Sequence, residues 1–211
     1  MAGRAKDQEK ARLIAAEALR CFGEKGYGAT SVEEIARGAG VGKGSVYTYF
    51  KTKDDLFIAA ITSWLDRYHK TIDGLMTAIP DPVRRLKRIV TVCAELFDPD
   101  NPETLRITFE MLKQAMTVGG VLHKRRHLVR DLGMNVRRNV QDTLLEGVSA
   151  GIFRPEIARD TEKIAINLLA YLDGIMLHAM VSDRYFDLNT QIESFMEMLM
   201  SQLLMTAGRE S

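Results

Sequence analysis

The chain has 211 residues, of which 46% are hydrophobic and 27% are charged. This length is enough for one large or two small domains with a core that needs no metal or disulfide, and the composition excludes a disordered chain. The formal net charge of +1 hides an asymmetry, because residues 1–53 carry ten basic and six acidic residues while residues 54–211 carry 19 and 22. A basic N-terminal segment of this kind is typical of a protein that faces nucleic acid at one end.

Several classes of protein are excluded early. The first twelve residues contain no apolar signal region, and no stretch of about 18 uncharged apolar residues follows. Cys21 and Cys93 lie far apart within apolar helical patterns, so we interpret them as buried thiols rather than a disulfide framework. The sequence therefore predicts a cytoplasmic protein with no membrane partner.

Apolar residues recur with helical spacing between glycine and proline residues along the whole chain, and no strand-like alternation is visible. The pattern predicts an all-α fold of about nine helices joined by short connections. In chain order, the expected helices cover residues 9–23, 32–39, 43–50, 53–78, 82–97, 103–117, 121–149, 156–182 and 188–206.

Residues 30–53 form a pattern of helix, tight turn and helix. Ala36 supplies the small residue that two steeply crossing helices need, and Gly40 tolerates the positive φ of the turn. This arrangement is a helix-turn-helix, whose second helix enters the major groove of DNA. The shared apolar contact between the two helices is expected from Ile35, Ala39, Val41, Val46 and Phe50.

The second helix of this pair has an exposed face suited to reading bases, formed by Lys43, Ser45, Tyr47 and Thr48. Lysine can reach guanine O6 and N7, while serine and threonine serve several bases. Gly42 and Gly44 leave the helix N-terminus open to a close approach of phosphate. Further phosphate donors are predicted at Tyr49, Lys51 and Lys53, and at the helix-capping residues Thr30 and Ser31.

A plainer interpretation is available for the same residues. A short glycine-broken helix pair with a few lysines is often only a surface hairpin, and Thr30 and Ser31 can cap the first helix without touching DNA. The turn glycine, the apolar spacing and the basic, aromatic face occur together here, which favours DNA binding.

The stretch from Ala11 to Ala59 resembles the N-terminal domain of the TetR/AcrR family of bacterial transcriptional regulators. The segments that carry the resemblance are ALRCFGEKG (18–26), TSVEEIA (30–36), AGVGKG (39–44), YTYF (47–50) and KTKDDLF (51–57). GIFRP (151–155) and YLDG (171–174) are similar to the C-terminal half of many members.

The resemblance implies a two-domain, nine-helix homodimer that binds a palindromic DNA operator. It assigns base reading to Lys43, Gly44, Ser45, Tyr47 and Thr48, and phosphate contacts to Ser31, Tyr49 and Lys53. Gly42 departs from the family pattern, because many members have serine there, and a glycine gives up the side-chain cap of the second helix.

The predicted helix at 188–206 has one complete apolar face, and the predicted helix at 156–182 is apolar on more than one side, which is wide enough to pack on two neighbours. One neighbour is the protein's own core, and the other can be a second subunit, as the resemblance also implies. The alternative is that both faces belong to the core of a single chain. The predicted dimer contacts are Ile164, Leu168, Tyr171, Leu172, Ile175, Ile192, Phe195, Met196, Leu199, Met200 and Leu203.

A ligand pocket is expected among the middle helices, because the eleven methionines suit a cavity of irregular shape. The resemblance implies a small apolar effector. The candidate contacts are Trp64, Tyr68, Phe109, Met111, Leu112, Met116, Met176 and Met180, each of which could equally be an ordinary core residue.

Metal binding and catalysis find little support. His123 and His127 lie four residues apart on a predicted helix, but Arg125 and Arg126 between them would repel a cation. No nucleophile motif, Walker loop or dinucleotide fingerprint occurs, so we predict neither an enzyme nor a cofactor.

The sequence therefore predicts a ligand-responsive transcriptional regulator, a repressor, with a DNA-binding domain at 1–53 and a ligand-binding and dimerisation domain at 54–211. The alternatives are a constitutive DNA-binding protein that senses nothing and a helical-bundle enzyme.

Overall fold

The computed structural model describes residues 2–97, 102–181 and 186–205. Over these residues the fold is all-α with nine helices, which confirms the predicted fold class. The helices are α1 (Ala2–Ala29), α2 (Val32–Gly38), α3 (Lys43–Tyr49), α4 (Lys53–Ala78), α5 (Pro82–Ala94), α6 (Pro102–Met116), α7 (His127–Ser149), α8 (Thr161–Val181) and α9 (Leu188–Leu203).

The chain forms two compact units. The first unit comprises Met1–Tyr68 and Asp98–Leu132, and the second unit comprises His69–Phe97 and Gly133–Ser211. In the first unit α1 packs along α6 and against the α2–α3 pair. In the second unit α8 packs against α5 and α9. The predicted boundary after Lys53 separates a DNA-binding domain from a ligand-binding domain by function, and it stays a prediction.

The first helix is longer than predicted. It continues through Gly23, the first of the two glycines at which we expect it to end, and its backbone leaves the helical region at the second, Gly26, with φ 80° and ψ 160°. A glycine inside a helix costs about 1 kcal/mol relative to alanine, which packing against a neighbouring helix can offset. Gly26, by contrast, adopts a backbone conformation that is essentially restricted to glycine.

The prediction of one helix over 121–149 is wrong at its start, because α7 begins only at His127. The preceding residues form a turn that depends on two glycines. Gly119 has φ 84°, and a Cβ added at Gly120 would lie 2.3 Å from the Gln114 carbonyl oxygen. The reversal buries Leu122 completely and leaves His123 in a 3₁₀ turn, off the α7 helix that begins at His127. The predicted helix at 156–182 similarly begins with a 3₁₀ turn, Pro155–Arg159, before α8.

A buried arginine closes the end of α4. The Arg85 side chain is 3% exposed. It donates from Nε to the Ile79 carbonyl oxygen at 2.7 Å, from Nη2 to the Pro80 carbonyl oxygen at 3.1 Å and from Nη1 to Glu146 of α7. Helix C-termini leave carbonyl groups without intrahelical partners, and the guanidinium supplies donors to the main chain just beyond α4.

The end of α9 is fastened to the connection between α7 and α8. Phe153 and Leu204 form an antiparallel bridge, the Arg154 amide donates to the Leu203 carbonyl at 2.9 Å, and the Met205 amide donates to the Ile152 carbonyl at 3.1 Å. Phe153 is fully buried, which ties this connection to the core of the second unit.

Candidate nucleic-acid interface

The α2–α3 pair is held by local interactions that its sequence specifies. Ser31 caps α2 in a reciprocal capping box, in which the Glu34 amide donates to Ser31 Oγ at 3.2 Å and the Ser31 amide donates to Glu34 Oε2 at 3.0 Å. Gly40 has φ 66° in the turn, as predicted, and Ile35 and Val46 are buried between the helices. The first unit therefore presents α3 on a defined frame.

Helix α3 offers an open face. Its N-cap is Gly42, which makes no side-chain capping bond, as the departure from the family pattern implied. A Cβ at Gly42 or Gly44 would meet no atom within 4 Å, so the helix entrance has room for a ligand backbone. Tyr47 is 44% exposed, and Thr48 and Lys43 are exposed beside it, whereas Ser45 is half-buried.

Two of these side chains hold partners that DNA would have to displace. Lys43 Nζ lies 3.2 Å from Glu33 Oε2, and Thr48 Oγ1 donates to the Gly44 carbonyl oxygen at 3.1 Å. An exposed ion pair is worth about 0–1 kcal/mol, so exchanging Glu33 for a phosphate or a base costs little.

Two of the predicted phosphate donors near the end of α3, Tyr49 and Lys53, contact residues of α1. Tyr49 donates its hydroxyl to Asp7 Oδ1 at 3.2 Å. Lys53 Nζ lies 3.4 Å from the Gly28 carbonyl oxygen and 4.4 Å from the centre of the Tyr27 ring. Lys51 is exposed. The lysine at position 53 is thus held in place by cation–π attraction before any DNA arrives.

Thr30 does not suit its predicted contact with phosphate. Its side chain is 2% exposed, and its hydroxyl lies 2.8 Å from the Gly26 carbonyl oxygen and 3.0 Å from that of Cys21. A buried hydroxyl whose proton is committed to main-chain carbonyls cannot donate to an external anion. The role of Thr30 is to fasten the end of α1, whereas Ser31 remains exposed.

An ion pair joins α1 to α2. Lys25 Nζ lies 2.5 Å from Glu34 Oε1. The lysine, followed by the hydrogen bonds from the amide and hydroxyl of Ser31, lowers the pKa of Glu34 to about 2. Glu34 therefore stays ionised at neutral pH and keeps both its capping and its pairing role.

The predicted ligand contacts have diverse surroundings. In the first unit Trp64 and Met111 are buried, Phe109 and Leu112 are half-buried, and the Trp64 and Tyr68 rings meet edge to face with centroids 5.1 Å apart. Met116 is 78% exposed at the end of α6, which does not suit an interior contact. In the second unit Met176 is buried, while the side chain of Met180 lies outside the described residues.

A cavity of about 280 Å³ in the first unit is lined by α1, α4 and α6. Trp64 contributes to it, but most of the other polar lining is charged, including Arg20, Arg106 and Glu103. Arg20 is held by Glu17 and Glu24, each at 2.6 Å. The predicted ligand contacts are apolar and aromatic, and therefore do not include this charged lining.

The predicted dimer contacts divide into two groups. One group is buried within the single chain and already belongs to its core: Leu168, Leu172, Ile192, Met196, Met200 and Leu203. The other group is half-buried: Ile164, Tyr171, Ile175, Phe195 and Leu199. Tyr171 and Phe195 stack with ring centroids 3.6 Å apart. Ile166, Leu177 and Met198, which the prediction did not include, are exposed.

A capped helix pair, a turn at Gly40 and an open α3 face together define a helix-turn-helix DNA-binding protein. Residues 14–60 match the family profile of bacterial regulatory proteins of the tetR family. Residues 82–204 match the profile of the C-terminal region of BetI-type transcriptional repressors. The chain belongs to the tetR family and is a transcriptional regulator, which confirms the predicted class and its distinction from an enzyme.

Two relatives illustrate the range of similarity. The transcriptional regulator BetI of Rhizobium meliloti (strain 1021) is 31% identical over 160 residues, which cover 76% of this chain and 72% of that protein. The regulator HbdR of Aromatoleum sp. (strain CIB) is 27% identical over 148 residues, which cover 70% of this chain but only 62% of HbdR.

Solved structures share the fold. A putative transcriptional regulator from Saccharomonospora viridis in complex with choline has a TM-score of 0.77 at 18% identity, over 94% of this chain and 100% of that one. The regulator FadR from Bacillus subtilis in complex with stearoyl-CoA has a TM-score of 0.65 at 19% identity, over 90% and 98%. Within the described ranges, no helix is long and apolar enough to cross a membrane.

Proposed function

We propose that this regulator is a cytoplasmic homodimeric repressor that binds a palindromic operator through α3 and leaves it when a small, largely apolar effector binds. The open face of α3, with Tyr47 exposed beside Lys43 and Thr48, is the observation that carries the DNA-reading part. The match of residues 82–204 to BetI-type repressors supports the direction of regulation.

The test of DNA reading is operator binding by the full chain. The purified protein is first used to select an operator from random duplexes. The Tyr47→Ala variant should bind this operator at least about tenfold more weakly, which corresponds to about 1.4 kcal/mol from one base contact. Met134→Ala is the matched control, because Met134 on α7 has a similar exposure. Equal affinities of the two variants would refute the assignment of Tyr47.

Support for a homodimer comes from apolar side chains that the single chain leaves uncovered. Ile166 and Leu177 lie on one face of α8, eleven residues or about three turns apart, and Met198 of α9 is also exposed. Two recognition helices spaced about 34–36 Å apart would then meet successive major grooves, so a palindromic operator follows from the symmetry.

The oligomeric state has its own test. The double variant Ile166→Glu with Leu177→Glu should sediment as a monomer, because carboxylates cannot be buried unpaired at an interface. Leu145→Glu on α7, at comparable exposure, should leave the assembly unchanged. A parent protein that is already monomeric at micromolar concentration would contradict the dimer.

The effector part rests on the family and on the ligands of its neighbours. Choline and stearoyl-CoA, which are bound by two structures of the same fold, are the first two probes. An effector can shift the regulator off DNA only if it binds the DNA-incompetent state more tightly. We therefore expect it to raise the Tm and weaken operator binding, and in a reporter assay it should restore transcription that the protein lowers.

The main alternative is a constitutive DNA-binding protein. It predicts that no compound in a broad panel changes operator affinity, whereas the proposal predicts at least one that does. A helical-bundle enzyme is set aside by membership of the tetR family.

A further inference from the structure

A carboxylate is buried where α6 crosses the bend in α1. Glu110 is 7% exposed, and its Oε1 accepts a hydrogen bond from Gln114 Nε2 at 2.8 Å. Its Oε2 lies 3.5 Å from Lys113 Nζ. The same oxygen occupies the space beside Gly26 that a side chain would need, since a Cβ added there would lie 3.2 Å from it. Burying a carboxylate is costly and contributes little to stability by itself, so its position calls for another role.

The glycine beside Glu110 precedes the start of the DNA-reading pair. Gly26 has φ 80° and ψ 160°, and its carbonyl oxygen accepts from both the amide and the hydroxyl of Thr30, at 3.3 and 2.8 Å. Thr30 is followed directly by Ser31, the N-cap of α2. The position of the bend thus determines where the helix-turn-helix begins.

The other side of Glu110 leads to the turn that follows α6. Gln114 Oε1 accepts from the Val121 amide at 3.1 Å, so one glutamine side chain joins this turn to the buried carboxylate. The turn itself lies tightly on α6, because a Cβ at Gly120 would lie 2.3 Å from the Gln114 carbonyl oxygen. The turn and the bend are therefore connected by Val121, Gln114 and Glu110 in succession.

We propose that Glu110, oriented by Gln114, is a positioning residue for the helix-turn-helix. A movement of the turn at 117–121 changes the position of Glu110 and, through it, the position of the helix-turn-helix. A displacement of the turn withdraws the Val121 amide and releases Gln114. Glu110 then moves away from Gly26, and the bend and the capped start of α2 lose their support. The inference rests on the proposed function only in taking the moved element to be the one that reads DNA.

The decisive measurement is hydrogen exchange of the Thr30 amide in the full-length protein without DNA. Gln114→Leu removes both bonds of the relay and should speed this exchange about tenfold. Gln141→Leu makes the same chemical change on α7 and should leave it unaltered. Glu110→Ala should behave as Gln114→Leu does, whereas Glu110→Gln keeps an oxygen for the Gln114 amide and should retain slow exchange.

A second pair of variants moves the turn without touching the relay side chains. Gly120→Ala forces the turn off the end of α6 and should also accelerate exchange at Thr30. Gly133→Ala is its control, because a Cβ there meets no atom within 4 Å. This pair decides the question if Gln114→Leu does not fold.

Faster Thr30 exchange in each variant than in its control supports the proposal, and equal exchange within either pair overturns it. Operator affinity, measured in parallel, should fall in the same variants. A parent protein that binds no selected operator would contradict the proposed function, while the exchange result would still decide the connection between α6 and α2.

Discussion

Replacing Arg85 by alanine should destabilise the second unit far more than replacing its acidic partner. The guanidinium makes two bonds to main-chain carbonyl oxygens, at 2.7 and 3.1 Å, and hydrogen bonds from a charged donor contribute about 1.5 kcal/mol or more each. The ion pair adds at most about 1 kcal/mol, because the Glu146 side chain is 54% exposed and can be rehydrated. Arg85→Ala should therefore lower the free energy of unfolding by about 3–4 kcal/mol.

Glu146→Gln, by the same reasoning, should cost no more than about 1 kcal/mol, since the arginine keeps both carbonyls. The assay is urea unfolding followed by circular dichroism, at one protein concentration because an oligomer's stability depends on it. Arg85→Lys should fall between the two, as an ammonium keeps the charge but loses the forked geometry. Equal losses for Arg85→Ala and Glu146→Gln would refute the view that the carbonyl bonds carry the effect.

Three further outcomes are expected. Lys51→Gln should reduce the steepness of log K against log salt for operator binding by about 0.9 per protomer, measured by fluorescence anisotropy between about 50 and 200 mM salt, and an unchanged slope would remove Lys51 from the interface. Glu34 should titrate in carboxyl NMR with a pKa of about 2, so its stabilising contribution is present above about pH 4.5 and is lost as the pH falls toward 2; Lys25→Ala should raise that pKa. Cys21 and Cys93 should resist a thiol reagent at pH 8 until urea is added, because both are buried and burial raises their pKa values to about 11 and 12.

The helix-turn-helix could be predicted from sequence because its determinants are local. A capping serine, a turn glycine and apolar residues three and four apart are all contained within about twenty residues, and Ser31, Gly40 and Val46 lie in the structure as expected. The prediction that Thr30 contacts phosphate assumed that a hydroxyl at the start of a helix is exposed, whereas this one is buried. Its burial follows from the bend at Gly26: the sequence predicts a helix end at this glycine, but not the direction in which the chain continues.

Long-range partners account for most of what the sequence did not reveal. Arg85 lies among other basic residues, and helical periodicity alone does not mark it as buried, although it stands next to Leu86 on the buried side of α5. Glu110 similarly follows Ile107 by three residues on the buried side of α6. On α8, periodicity detects apolar residues on several sides but cannot tell which side the chain itself covers, so the predicted dimer contacts include Leu168, which is buried within the chain, and omit Ile166, which is exposed.

Each unit is built from segments that are far apart in the sequence, and this limits how early each unit can fold during synthesis on the ribosome. The first unit needs α6 to complete a core begun by α1, and the second unit is closed by the backbone hydrogen bonds that join Leu203 and Met205 to the segment at 152–154. A nascent chain emerges at about 5–20 residues per second, so α1 waits several seconds for α6 to leave the ribosome. During that interval the apolar side of α1 that α6 will cover is a target for chaperones, and the second unit cannot close until Met205 has been synthesised.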